Sequence, residues 1–260
     1  MLRFFSKMRY KLAAENRTAK YMRYAVGEIL LVVIGILLAL AINNWSNMQK
    51  LKNANRIYLN KMLVDLNVTN ERLNILIGTI NDTNIQVYGF PSMNEAVIAS
   101  DSLLKLTYKG LDKSHFEYLV SARFFQGNSS LNINDNTFAE LSNTGKLYSL
   151  GNEKLIRDIT KYYSRCERET EYNYVNNEDV SSGLEKFRDG FGKLFLDYEM
   201  DSTNFNLTNY PFYFDRSSQE YKNFQIGLYA IWGAQQLNLI KMQELVNETN
   251  SLISSVKSEL

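Results

Sequence analysis

The chain has 260 residues, 45% of them hydrophobic, with two prolines, one histidine, one cysteine and a formal net charge of +1. A single histidine excludes His-based metal clusters, and Cys166 alone permits no internal disulfide. Residues 1–23 carry seven bases and one acid, which leaves the remainder mildly acidic at −5. So local a basic patch points to anionic lipid headgroups and away from nucleic acid.

Within that tail Met1, Phe4, Phe5, Met8 and Leu12 recur at helical spacing, while Arg3, Lys7 and Lys11 occupy another face. The pattern predicts a basic amphipathic helix lying on a membrane surface, with Arg9, Arg17, Lys20 and Arg23 adding headgroup contacts. A disordered basic tail that only sets topology is the alternative.

Residues 24–45 form the predicted transmembrane helix. Between Ala25 and Ile42 the only charged side chain is Glu28, and eighteen residues at about 1.5 Å each span about 27 Å, the thickness of a bilayer's hydrocarbon core. Tyr21 and Tyr24 at one end and Trp45 at the other make an aromatic belt. Seven bases before the span outweigh Lys50, Lys52, Arg56 and Lys61 after it, so the N-terminus is expected on the cytoplasmic side. Ala39-Leu40-Ala41 has the form of a signal-peptide cleavage site, but the apolar run exceeds the usual core of about 7 to 15 residues, which favours an uncleaved anchor. Glu28, Val32, Gly35, Ala39 and Ile42 share one helical stripe, and Gly35-x-x-x-Ala39 is a small-residue pair that lets another helix approach closely. Glu28 then either bonds across a helix–helix interface or reaches headgroup water or Arg23.

Lys20-Tyr21, Tyr24-Ala25, the run from Gly27 through Ile36, and Asn43-Asn44-Trp45 resemble a family of bacterial single-pass membrane proteins, domain of unknown function 6090. The resemblance covers residues 1–45 most closely. It extends more loosely from Thr137-Phe138-Ala139-Glu140-Leu141 to Tyr163 and into the C-terminal helix, and departs at Ala41, where the family more often has Gln. It implies an inner-membrane anchor and a periplasmic domain, and brings no known activity.

Residues 46–260 make the expected exported domain. Leu59, Leu66, Leu73, Ile77, Ile80 and Val87 predict a helix over about 50–87, ended by Gly89-Phe90-Pro91. Ser92-x-x-Glu95 is a capping box opening a short helix over about 92–108, and Thr137-x-x-Glu140 a second one over about 137–148. Asn152 caps a long helix over about 152–184 whose inner face reads Ile156, Ile159, Tyr163, Cys166, Thr170, Asn173, Asn177, Val180 and Leu184, with Gly183, Gly190 and Gly192 breaking or kinking its end. Residues 200–216 read as an aromatic loop that either lines a binding surface or plugs a bundle end. Ser217 and Ser218 cap a last helix over about 218–257, on which Gln235 and Asn238 interrupt the apolar seam and set register. The predicted fold is all-α: one N-terminal transmembrane helix followed by an extracytoplasmic antiparallel helical bundle with long helices.

Catalytic signatures are lacking. His115 sits in an aromatic stretch without a nucleophile motif, Gly190-Phe191-Gly192 lacks a third glycine and a strand, and Asp197, Glu199 and Asp201 lack the glycine and glutamate of a calcium loop. Glu167, Glu169 and Glu171 with Arg165 and Arg168 read as a solvated helix face with Arg165–Glu169 pairing. No catalytic, cofactor or metal residues are therefore assigned. The expectation is a non-enzymatic envelope protein acting by self-association or by binding another envelope protein. The alternative is a ligand-sensing bundle with a polar cavity around Tyr163, Asn173 and Asn177, signalling through a partner.

Overall fold

The computed structural model describes residues 10, 18–80, 91–125 and 131–260. Every regular element among them is helical. The chain divides into two compact units, Met1–Ile57 and Tyr58–Leu260. The apolar and basic positions of the predicted tail helix, Met1 to Leu12, lie outside the described residues.

Helix α1, Thr18–Ile77, is continuous over 60 residues. Its Ala, Leu, Ile and Met residues favour helix and no proline interrupts it. It ends ten residues before the expected Val87. Gly78 takes φ 95°, a left-handed conformation open to glycine, and its amide closes on the Asn74 carbonyl at 3.0 Å. A Cβ there would come within 2.5 Å of the Ser92 side chain. Ile80 is exposed, and Val87 lies outside the described residues.

In the Tyr58–Leu260 unit, α2 (Met93–Lys109) opens with the expected capping box: the Ser92 amide donates to Glu95 Oε2 at 2.8 Å and the Glu95 amide to Ser92 Oγ at 3.3 Å. A short α3, Phe116–Ser121, occupies the aperiodic stretch where no element was expected. The second capping box does not form. In α4, Asn136–Asn143, the Thr137 amide donates at 2.8 Å to Asp65 Oδ2, and Glu140 accepts from Tyr58 and Lys61. Gly145 at φ 69° then turns the chain into a separate short helical turn, Lys146–Ser149, so the expected helix to 148 is split.

Helix α5, Glu153–Phe187, starts at Asn152, whose Oδ1 accepts from the Leu155 amide at 2.9 Å. The glycines do not break it. The chain widens through one π-turn, Arg188–Gly192, and continues as α6, Lys193–Met200. Helix α7, Gln219–Lys257, is capped by Ser218 Oγ. Contacts between α5 and α7 run in reverse order: Asn152 meets Glu259, Tyr162 meets Thr249, Asn176 meets Asn238 and Gly183 meets Gly227. A Cβ on Gly227 would lie 2.6 Å from the Gly183 carbonyl and one on Gly190 2.6 Å from the Glu220 carbonyl, so these glycines serve close helix crossing.

Two hydrophobic cores result. The first joins Leu59, Met62, Leu66 and Leu73 of α1 to the opening turns of α5 and the closing turns of α7. The second gathers Leu103, Phe116, Phe191, Tyr213, Tyr221 and Phe224 from α2, α3, the π-turn, the 200–216 loop and the start of α7. Phe205, Tyr210 and Phe212 pack against it, which favours the plug over the open binding surface.

Candidate functional site

α1 is the one helix among the described residues long and apolar enough to cross a membrane, and none of its apolar window is buried within the chain. Of the predicted stripe, Val32 and Ile42 are exposed at 56% and 65%, Ala39 is exposed, Glu28 is half-buried, and a Cβ on Gly35 would meet nothing within 4 Å. The small residues therefore pack against nothing among the described residues. Tyr24 and Trp45 are exposed about 31 Å apart along the axis, from 1.5 Å per residue, and Arg23 is exposed beside the first. Arg3, Lys7, Arg9, Lys11 and Arg17 lie outside the described residues, and of Lys20 and Tyr21 only the helical backbone is described.

The second candidate is a cleft of about 480 Å³ between the segment entering α4 and the middle of α5. Its size falls in the ordinary range for small-molecule sites, about 300 to 1,000 Å³. Leu131, Ile133 and Phe138 form an apolar wall, and the Phe138 ring stacks on Tyr163 with centroids 4.3 Å apart and planes 11° from parallel. Asp135, Glu167 and Glu171 also line it, and Ser164 and Thr170 supply hydroxyls.

Tyr163 is 4% exposed, and its hydroxyl has no hydrogen-bond partner among the described residues. Burial first, then the nearby carboxylates of Asp65 and Asp135, push its pKa well above the ordinary tyrosine range, so the phenol stays protonated. An unmatched buried hydroxyl costs about 1 to 3 kcal/mol. The neighbouring Tyr162 differs: its hydroxyl pairs with Thr249 Oγ1 at 2.8 Å. Below them Cys166 is buried, and desolvation pushes its thiol up to about 12.

The asparagines expected to share a cavity with Tyr163 go elsewhere. Asn173 accepts the Leu131 amide at 3.1 Å, and Asn176 Nδ2 donates to Asn238 Oδ1 at 2.8 Å. Asn238 Nδ2 donates to Asn177 at 3.4 Å, and Gln235 donates to the Phe124 carbonyl at 3.0 Å. They form an amide layer where α5 crosses α7, between the two cores.

The acidic run on α5 is not uniformly solvated. Glu169 is 3% exposed and faces Arg165, whose guanidinium also meets Glu248 at 2.9 Å and Glu244 of α7. Arg165 and Lys241 hold the Glu244 carboxyl below its usual range. Thr170, expected inside, is exposed in the cleft. The buried series steps 155, 159, 162, 166, 169, 173, and alternating fours and threes in the sequence carry that signal.

Other sequence candidates serve local structure. His115 Nδ1 accepts the Asp112 amide at 3.1 Å, Asp197 accepts from Lys193 and Tyr210, and Asp201 accepts from Asn204. Among the described residues no three His, Cys, Asp or Glu side chains converge on a metal-sized point.

Compared with protein-family models, curated proteins and solved structures, the chain matches none. Two features stand out: an apolar helix surface without a partner among the described residues, and an acidic cleft lined in part by Tyr163.

Proposed function

We propose that the protein is a non-enzymatic, membrane-anchored envelope protein of the domain of unknown function 6090 family, acting by self-association or by binding another envelope protein. The anchor sits in a bacterial inner membrane with the N-terminus cytoplasmic. The domain beyond it is a periplasmic antiparallel helical bundle. The observation carrying this reading is the apolar stretch of α1, exposed on every side and bearing Gly35 and Ala39 on the stripe of Glu28. Apolar side chains of that number are stable in hydrocarbon, and small residues permit a second helix to close on them. Blue-native analysis and cross-linking in native membranes test it. Self-association or a co-purifying envelope protein, lost in Gly35→Leu and weakened in Glu28→Ala, is the expected outcome; a monomer without partners overturns it.

The cleft beside Tyr163 favours a second reading, in which the domain senses a small ligand and passes the signal to a partner. Thermal shifts of the full-length protein across a metabolite set test it, with Tyr163→Phe removing the response to any ligand bound there.

A further inference from the structure

The solvent side of α7 carries a pattern that the anchor and the cleft leave unexplained. From Asn223 to Ile240 no side chain is charged, although a helix face turned to water ordinarily holds its charges there. Ile226, Tyr229, Leu237 and Ile240 are instead exposed. The four share one helical stripe with Gly233, two of them seven and four residues before it and two four and seven after. Single exposed apolar side chains are ordinary, but an ordered row of them marks an interaction surface.

Gly233 is the second observation. A Cβ on Gly183, Gly190 or Gly227 would come within 2.9 Å or less of neighbouring backbone, so packing inside the chain accounts for those three. A Cβ on Gly233 would meet nothing within 4 Å. Glycine inside a helix lowers its stability relative to alanine, and no contact among the described residues requires this one. It keeps the centre of an apolar face clear for a close backbone approach from outside the chain.

The spacing says what fits there. A two-fold axis through Gly233 lays α7 antiparallel on its own copy and sends each position before the glycine to the matching position after it. Ile226 then faces Ile240 of the second copy, and Tyr229 faces Leu237. The charges at the ends agree with this. Lys222 lies eleven residues before Gly233 and Glu244 eleven after, on the same stripe. Lys222 is exposed, and the Glu244 side chain keeps 45% exposure beside Arg165 and Lys241. Antiparallel pairing sets each Lys222 against a Glu244, whereas parallel pairing would set like charge against like.

We infer that α7 pairs with the α7 of a second copy of this chain, antiparallel and crossing at Gly233. The contact is separate from the one proposed for α1. From Ile226 to Ile240 the stripe is about 21 Å long at 1.5 Å per residue, short for a permanent dimer and suited to a reversible one.

Disulfide trapping tests this on the full-length chain purified in detergent, with copper–phenanthroline and oxygen as oxidant and buried Cys166 as the unreactive background. Cysteines bridge only when their Cα atoms come within about 7 Å. Gly233→Cys, on the axis, is expected to yield disulfide dimer. Ile226→Cys alone should stay monomeric, because its copy lies about 21 Å away along the helix, while Ile226→Cys/Ile240→Cys cross-links. Leu237→Arg added to that pair should lower the dimer yield about tenfold by burying a charge against Tyr229. The pair leaves Gly233 in place, so a folding fault at that position does not decide the result. The bridge should persist in Gly35→Leu, which removes the contact proposed for α1. Monomer from the Ile226→Cys/Ile240→Cys pair overturns the inference, as do bridging by Ile226→Cys alone and loss of the bridge in Gly35→Leu. Trapping in native membranes that joins Gly233→Cys to a different protein, or quenching of a bimane on it by brominated detergent, overturns the second copy in favour of a foreign partner or a membrane surface.

Discussion

The two cores of the Tyr58–Leu260 unit are built from different materials. The first lies between long helices and is filled by leucine, isoleucine and methionine, whose branched or flexible chains interdigitate along helix ridges. The second lies among short elements and a loop, and rings fill its irregular space: Phe191 stacks on Phe224 at 4.2 Å and Phe116 on Phe205 at 5.1 Å. Aromatic packing brings hydroxyls inside, and there they are matched. Tyr213 donates to the Asp112 carbonyl at 3.0 Å and Tyr221 to the Thr107 carbonyl at 2.7 Å. The aliphatic core, which needs fewer polar groups, is the one that leaves a tyrosine unmatched, and it does so at the cleft. Arg165 Nε, Glu169 Oε2 and Asn173 Nδ2 on the same helix share that lack of a hydrogen-bond partner among the described residues.

Replacing a ring should have the largest effect. Phe224→Ala removes a fully buried side chain from the stack and is expected to destabilise by about 3 to 5 kcal/mol, against about 2 to 5 for Leu66→Ala in the aliphatic core. Denaturant midpoints of the two variants in detergent measure the difference. Next comes the crossing point. Gly227→Ala forces backbone apart where a Cβ would sit 2.6 Å from an oxygen, and a loss of about 1 to 3 kcal/mol is expected, followed by thermal unfolding.

A smaller change separates the cores by sign. Tyr213→Phe loses a hydrogen bond and strips the Asp112 carbonyl, lowering stability by about 1 kcal/mol, whereas Tyr163→Phe removes an unmatched hydroxyl and should be neutral or stabilising. Equal losses in both would erase the contrast. The smallest effect is that of pH on the first core's rim. The Glu244 carboxyl is held down by Arg165, so its contribution is full above its ordinary value of 4.5 and fades as pH falls through the depressed one. Melting temperatures between pH 6 and 3 should fall less steeply in Glu244→Gln.

Local rules were enough wherever a local partner decided the outcome. The Ser92 and Asn152 caps, Ser218 and the α7 seam from Tyr221 to Val256 all read directly from spacing. Legibility failed where distant residues intervened. Asp65, 72 residues upstream, took the Thr137 amide that a capping box would have used. Glu169 is buried because Arg165 lies over it, itself bound by two glutamates of α7. The glycines of α5 look like helix breakers until α7 is laid across them. Of the candidate cleft, Tyr163 and the acidic run were visible as residues, but their meeting with Phe138 and Asp135 depends on the fold of the 131–139 segment.

The amide layer of Asn173, Asn176, Asn177, Gln235 and Asn238 also bears on how this domain can be altered. The layer separates two hydrophobic clusters that share no residue, and substitutions at sites without shared partners generally add. Substitutions on opposite sides of it, such as Leu66→Ala with Phe224→Ala, should therefore sum, and pairs on one side should not. Each half can then be varied as a separate block, and a library that redesigns one core need not redesign the other.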